Sequence, residues 1–298
     1  MTVVTSPPAP GFRRRVAALL HRRPRLRLAL LLSAPLAWLL IAYLGALAAM
    51  LLTAFWSTDT FTGNIVKQFT LQNFKDVFGD PVYRTIALRS LGVAALVTVV
   101  DAVLAYPMAF FMAKVARPRS RPFLVIAILT PLWAAYLVKA YAWRVMLADG
   151  GLVNWALKPF GLSGPGYGLP ATVVVLAYLW LPYMILPLYA GLERMPDSLL
   201  DASGDLGGRT GRTFRSVVLP MTFPSLVAGS IFTFSLSLGD YITVKIVGGK
   251  SQLIGNVVYD NIGAANNLPF AAAVATLPVM VMLIYIAAVR RTGALEEL

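Results

Sequence analysis

Six stretches of this chain are too long, too apolar and too poor in charge to be anything but membrane-spanning helices. They fall near Leu28–Phe55, Ile86–Ala113, Phe123–Leu147, Ala171–Gly191, Val217–Leu238 and Phe270–Val289. A hydrocarbon core of ~30 Å takes ~20 helical residues to cross. Lipid offers the backbone no hydrogen-bond partner, so a span is either a helix or a strand of a closed barrel, and the period-2 pattern of barrel strands is absent. The expected fold class is therefore all-α, a polytopic membrane protein with about six transmembrane helices. Composition agrees, since 58% of the 298 residues are apolar and only 13% are charged, too little charged surface for a soluble domain of this length. Pro35, Pro107, Pro131, Pro182, Pro187, Pro220, Pro224 and Pro278 fall within or near spans, where kinks are tolerated. The first stretch has the positive flank of a signal peptide. Its apolar run is about twice the ~7–15 residues of such a segment, so an uncleaved helix is expected.

The net charge of +13 would suggest nucleic acid on a soluble chain. Here the cations lie in the gaps between apolar runs rather than on one basic face, so no nucleic-acid partner is expected. Their distribution sets the orientation. Arg13, Arg14, Arg15, Arg22, Arg23, Arg25 and Arg27 precede the first span; Lys114, Arg117, Arg119 and Arg121 follow the second; Arg194, Arg209, Arg212 and Arg215 follow the fourth; Arg290 and Arg291 close the chain. The opposite loops hold only Lys67, Lys75, Arg84, Lys158, Lys245 and Lys250. By the positive-inside rule both termini are cytoplasmic. The organisation expected is a basic cytoplasmic leader (1–27), a transmembrane domain (28–290) and a short cytoplasmic tail (291–298). The three outer loops, about 56–85, 148–170 and 239–269, are rich in Gly, Asn, Asp and Pro and suit turns and a surface for an outside partner. The chain has no cysteine and one histidine, His21 in the leader, which excludes disulfides and leaves no set of Cys or His metal ligands.

The cytoplasmic loop Glu193–Pro220 carries the sharpest signal. Pro196, Asp197 and Ser198 offer a helix start, Leu199, Leu200, Ala202, Ser203 and Leu206 follow at helical spacing, and Gly207 and Gly208 offer a stop. A second helix can restart near Thr210 and run into the fifth span. A short amphipathic helix, a tight turn and another helix make a rigid knob suited to a groove in a cytosolic partner. Within the loop stand Asp201, Ala202 and Ser203, then Gly207 after three residues, Val217 after nine more, and Leu219 and Pro220. This spacing resembles the Glu-Ala-Ala hallmark of the permease subunits of ABC importers of the binding-protein-dependent type I family. It departs by Asp for Glu, Ser for the second Ala and Val for Ile. The resemblance implies that Asp201, Ala202, Ser203, Gly207, Val217, Leu219 and Pro220 form the coupling element that docks on a separate cytosolic ATPase dimer. It implies also a second permease subunit, expected to be a paralogue, an extracytoplasmic solute-binding protein, and a place in the bacterial inner membrane. No cofactor is expected on this chain. ATP and Mg would be bound by the partner, because the nearest thing to a phosphate loop, the run from Gly208 to Thr213, lacks both the spacing and the lysine.

Two further stretches, Pro131 to Asn154 and Ser237 to Gly249, resemble the third span and the outer end of the fifth span of spermidine/putrescine importer permeases, which implies a polyamine or a related small solute. An amine pathway should pair carboxylates with aromatic faces. Trp133, Tyr136, Ala140 and Trp143 fall at helical spacing on one face of the third span, a stripe that suits either the pathway or ordinary packing. Asp240 and Tyr241 sit at the outer mouth, where Asp240 is either a mouth group or a loop cap. Asp101, deep in the second span, must face the bundle interior and find a partner; Lys139 is a candidate, though it lies ~10 Å nearer the outer surface. A secondary transporter or channel would need buried ion sites in repeated halves, and an embedded enzyme a cluster of catalytic groups. Neither pattern is present, so a non-catalytic permease subunit is the expected function.

Overall fold

The structure is a computed structural model that describes residues 24–59 and 62–290, with side chains described from residue 28. Arg13, Arg14, Arg15, Arg22 and Arg23 of the leader and the tail after Arg290 therefore lie outside the described residues, as do the side chains of Arg25 and Arg27. The chain divides into two units, Met1–Thr53 and Ala54–Leu298. The first contains α1 (Leu28–Thr53), a single apolar helix whose middle turns, Leu39–Leu44, are π-helical.

The second unit is built on α2 (Gln72–Gly79), α3 (Pro81–Val115), α4 (Arg121–Trp133), α5 (Tyr136–Leu147), α6 (Leu152–Leu157), α7 (Leu169–Arg194), α8 (Ser198–Asp205), α9 (Thr210–Leu238), α10 (Ile242–Val247), α11 (Ile254–Ile262) and α12 (Leu268–Val289). Among the described residues α1, α3, α7, α9 and α12 are each long and apolar enough to cross a membrane, and α4 with α5 makes a sixth span only if the two are taken together. The outer loop after α1 adds a two-residue ladder, β1 (Ser57–Thr58) antiparallel to β2 (Ile65–Val66), the one sheet among the described residues.

Local chemistry fixes the ends of the main helices. Asp80 accepts from the Val82 amide at 2.8 Å and Pro81 occupies the first turn, so α3 starts there. Asn267 and Pro269 do the same for α12. The core of the unit is the trio α3, α7 and α9, in which each helix packs on the other two. Small residues let them approach: a Cβ on Gly229 of α9 would meet Cα of Met184 in α7 at 3.1 Å, the close packing that helices use in lipid, where apolar burial between spans gains little. Fully buried side chains of this trio include Val97, Leu176, Met184, Ile185 and Leu188.

The expected third span, Phe123–Leu147, is not one helix. Ala134 and Ala135 are extended, and α4 and α5 meet at 89°. Pro131 lies one turn ahead of the break and denies α4 a backbone donor. The bend separates Trp133, which ends α4 and is 85% exposed, from Tyr136, Ala140 and Trp143 on α5. The single aromatic face expected to include Trp133 does not exist.

Candidate functional site

Two regions collect the residues singled out above, one at each end of the bundle. At the cytoplasmic end, α7 stops at Met195 and the chain enters α8. Asp197 stands at the N-cap position of α8 yet makes no capping bond. Its carboxylate is taken instead by Lys114 at the end of α3, whose Nζ donates to Asp197 Oδ1 at 2.6 Å and to the Met195 carbonyl at 2.5 Å. The hydrogen bond and the charge of Lys114 hold the Asp197 carboxyl below its usual range.

α8 ends in the left-handed region, with Gly207 at φ +74°. There the amide of Gly208 donates to the Ser203 carbonyl at 2.8 Å. A side chain at Gly207 would have open space around it, so glycine is required for backbone angle and not for room. Ser203 also shares a hydrogen bond with Thr213 (2.8 Å) across the turn, which ties α8 to the start of α9. Asp201 and Ala202 are exposed on the outer face of α8, and Leu206 beyond it is 88% exposed. At the other end of the motif Val217 is only half-buried, while its neighbour Val218 is buried against α3 and α7, and Leu219 and Pro220 continue into the membrane part of α9.

At the outer end, α9 stops at Leu238 and Asp240 lies two residues ahead of the short α10. Asp240 is buried and Oδ1 accepts from the Thr243 amide at 2.8 Å; Oδ2 accepts from the Thr243 hydroxyl at 3.3 Å and from the Tyr136 hydroxyl. Burial pushes this carboxyl up from its ordinary value, and the bonds from Tyr136 and Thr243 oppose the rise. Tyr136 stacks on Trp180 of α7, with ring centroids 5.9 Å apart. Beside them is a cavity of about 310 Å³ lined by Tyr136, Trp180, Gly239, Asp240, Tyr241 and Ile242 among others. Tyr241 also stacks on Tyr259 at 4.7 Å, and Lys245, paired with Asp260 at 2.8 Å, lies 3.8 Å over that ring.

Three expected site residues stand outside this cluster. Trp133 is beyond the bend. Trp143, half-buried, packs edge-on against the exposed Tyr178 at 5.4 Å and against the buried cluster between α5 and α7, which makes it part of the packing. Asp101 is fully buried, and neither of its carboxylate oxygens has a hydrogen-bond partner; the pairing with Lys139, a candidate from the sequence, is not made. Trp180 and Thr243, which complete the outer cluster, were not singled out by residue-by-residue reading. Trp180 had a legible signal, as the one indole of its span, set between Tyr178 and Tyr183. Thr243, three residues after Asp240, reads as the usual recipient of an Asx-type cap. Among the described residues no group of acidic or histidine side chains could hold a metal ion.

Comparison with known proteins gives this geometry its class. Residues 95–291 match the family described as the inner membrane component of binding-protein-dependent transport systems. The chain is 43% identical to the inner membrane ABC transporter permease protein YdcU of Escherichia coli K12, over 100% of this chain and 99% of that protein. It is 35% identical to the spermidine/putrescine transport system permease protein PotB of Haemophilus influenzae, over 69% of this chain and 73% of that one. Among solved structures, a chain of the bacterial alginate ABC transporter in complex with its oligosaccharide-bound periplasmic protein shares the fold, with TM-score 0.68 at 13% identity over 94% of this chain and 97% of that one. The chain therefore belongs to the binding-protein-dependent inner membrane permeases: it is a multi-pass permease subunit of an ABC importer in the bacterial inner membrane.

Proposed function

We propose that this subunit forms half of the translocation pathway for a polyamine, putrescine or spermidine, or a closely related small organic cation. We further propose that it is driven through the loop around α8 by a dimeric ATPase supplied as a separate chain. It does no covalent chemistry itself, and its companions are a paralogous permease and an extracytoplasmic binding protein. The observation that carries the substrate reading is the outer cavity. A buried carboxylate, Asp240, and the rings of Tyr136, Trp180 and Tyr241 share one small space, and an ammonium ion gains from both negative charge and ring quadrupole. The relatives named for spermidine and putrescine transport support the same class. Docking at the other end is supported by the exposed apolar Leu206 beside exposed Asp201 and Ala202 on a rigid turn.

The test is purification of the subunit with its companions, reconstitution into liposomes, and uptake of labelled putrescine and spermidine with and without internal ATP. Uptake that needs ATP, the ATPase and the binding protein is expected, with each polyamine competing for the other. Uptake by this chain without any ATPase would overturn the driving mechanism. ATP-driven complexes that bind and move neither polyamine would overturn the substrate.

A further inference from the structure

The loop that holds α8 is gripped by one helix at both of its ends. At its entrance, Lys114 of α3 fastens Met195 and Asp197, as described. The Lys114 side chain is only 7% exposed while Asp197 is 78% exposed, so the cation is set into the bundle and reaches outward to hold the loop. At its exit, Tyr106, two turns earlier on α3, meets the loop again. The ring of Phe214 packs edge-on against it at 5.0 Å, and its hydroxyl is hydrogen-bonded to Thr222, which in turn bonds the Val218 carbonyl at 2.8 Å. Both grips fall at π-helical turns, Phe111–Val115 in α3 and Phe214–Val218 in α9. Such turns interrupt the regular ladder and recur at functional positions.

Between the two grips α8 reaches the core through Leu200, which packs on the buried cluster that includes Tyr106, Ala109 and Met112 of α3. A cavity of about 900 Å³, lined by Tyr106, Phe110, Leu200, Phe214 and Leu219 among others, separates α8 from α3. The loop itself is internally stiff, because Ser203 is bonded to both Gly208 and Thr213. A stiff element held at its ends, with one apolar contact between them on the same cluster, passes a push to whatever holds it. We infer that α3 is the helix through which a displacement of α8 enters the bundle, with Lys114 and Tyr106 as its positioning residues. This inference rests on the docking of α8 to an ATPase proposed above.

The chain has no cysteine, so with this subunit labelled before assembly it carries labels only where they are placed. Asp205→Cys on exposed α8 and Val99→Cys on exposed α3 give a spin-label pair whose distance is read in the assembled transporter, with nucleotide absent and with the hydrolysis cycle trapped. With the grips intact, α8 and α3 move as one body and the distance holds. Lys114→Met should let it shift or broaden by several ångströms on nucleotide binding, and Lys114→Arg, which keeps the charge and reach, should restore the parent behaviour. A role in folding alone would not give a change that depends on nucleotide. A Lys114→Met distance as constant as the parent's would overturn the grip. The underlying docking is checked separately with Gly207→Val: if that variant still co-purifies with the ATPase and hydrolysis stays coupled to transport, the docking reading itself falls and takes the grip with it.

Discussion

Asp240 and Asp101 are both carboxylates buried among apolar helices, and their surroundings are opposite. Asp240 lies just ahead of a helix and accepts three hydrogen bonds, one from Tyr136 and two from Thr243, so its burial is matched by hydrogen bonds. Asp101 lies on the face of α3 that also buries Val97 and Ala105, and both its oxygens are unpartnered. Ionised at the centre of a bilayer, such a group costs about 2.5–3.5 kcal/mol. The pairing teaches that depth alone does not identify a functional acid. Asp240, beside the outer cavity, does structural work that any cargo contact must share; Asp101 fills space in the core but makes no hydrogen bond there.

The largest effect is expected at Asp240. Asp240→Ala strands the Thr243 amide and takes from the Tyr136 hydroxyl one of its two partners, the Thr243 hydroxyl remaining, at about 3 kcal/mol from the loss of buried hydrogen bonds. The apparent unfolding midpoint in detergent should fall accordingly, and a midpoint at the parent value would show that these bonds are not formed in the protein. Asp101 should respond in the other direction. Asp101→Leu removes a buried group that nothing satisfies and should hold or raise stability, by up to about 2 kcal/mol, while Asp101→Asn should leave uptake intact. Loss of uptake in a normally folded Asp101→Asn chain would place the ionised carboxylate in the pathway and reverse the comparison.

A smaller change sharpens the same contrast. Tyr136→Phe keeps the ring against Trp180 and deletes only the hydroxyl, a loss of about 1 kcal/mol in stability. If the cavity meets the cargo through its aromatic faces, this variant should transport with little change, whereas Tyr136→Ala should weaken uptake at low substrate concentration. Equal uptake by both variants would remove the cavity from the pathway.

What the sequence made legible follows from how strongly each feature is punctuated. The loop around α8 was readable because Pro196 and Gly207 mark its ends and the backbone at Gly207 adopts the angle that only glycine tolerates well. The break between α4 and α5 was hidden because Ala134 and Ala135 are good helix formers inside a continuous apolar run, and a period-3.6 pattern looks the same whether one helix or two produce it. Pro131 was the only hint. Asp197 was legible as a helix start but not as the partner of Lys114, because their 83-residue separation depends on how α3 and α7 pack. Lys139 failed as a partner for Asp101 for the same reason: pairing across spans is set by helix rotation, which hydropathy does not encode.

The last contrast is between the two ends of the molecule, and pH reads it. The Asp240 carboxyl is raised by burial, so from ~4, the ordinary carboxylate value, up to its folded value the folded state holds a proton that the unfolded chain has released. Stability from this group is complete below that window and is lost as pH rises through it. Asp197 is lowered by Lys114, so its contribution is present above ~4 and is lost as pH falls through the folded value. Exposure and screening keep that second slope small. Unfolding midpoints measured across acid and neutral pH should therefore change slope in opposite senses for Asp240→Asn and Asp197→Asn, the former on the side where pH climbs away from the carboxylate range and the latter below it. A common sense for the two variants would mean that the outer carboxyl is not desolvated as its burial requires.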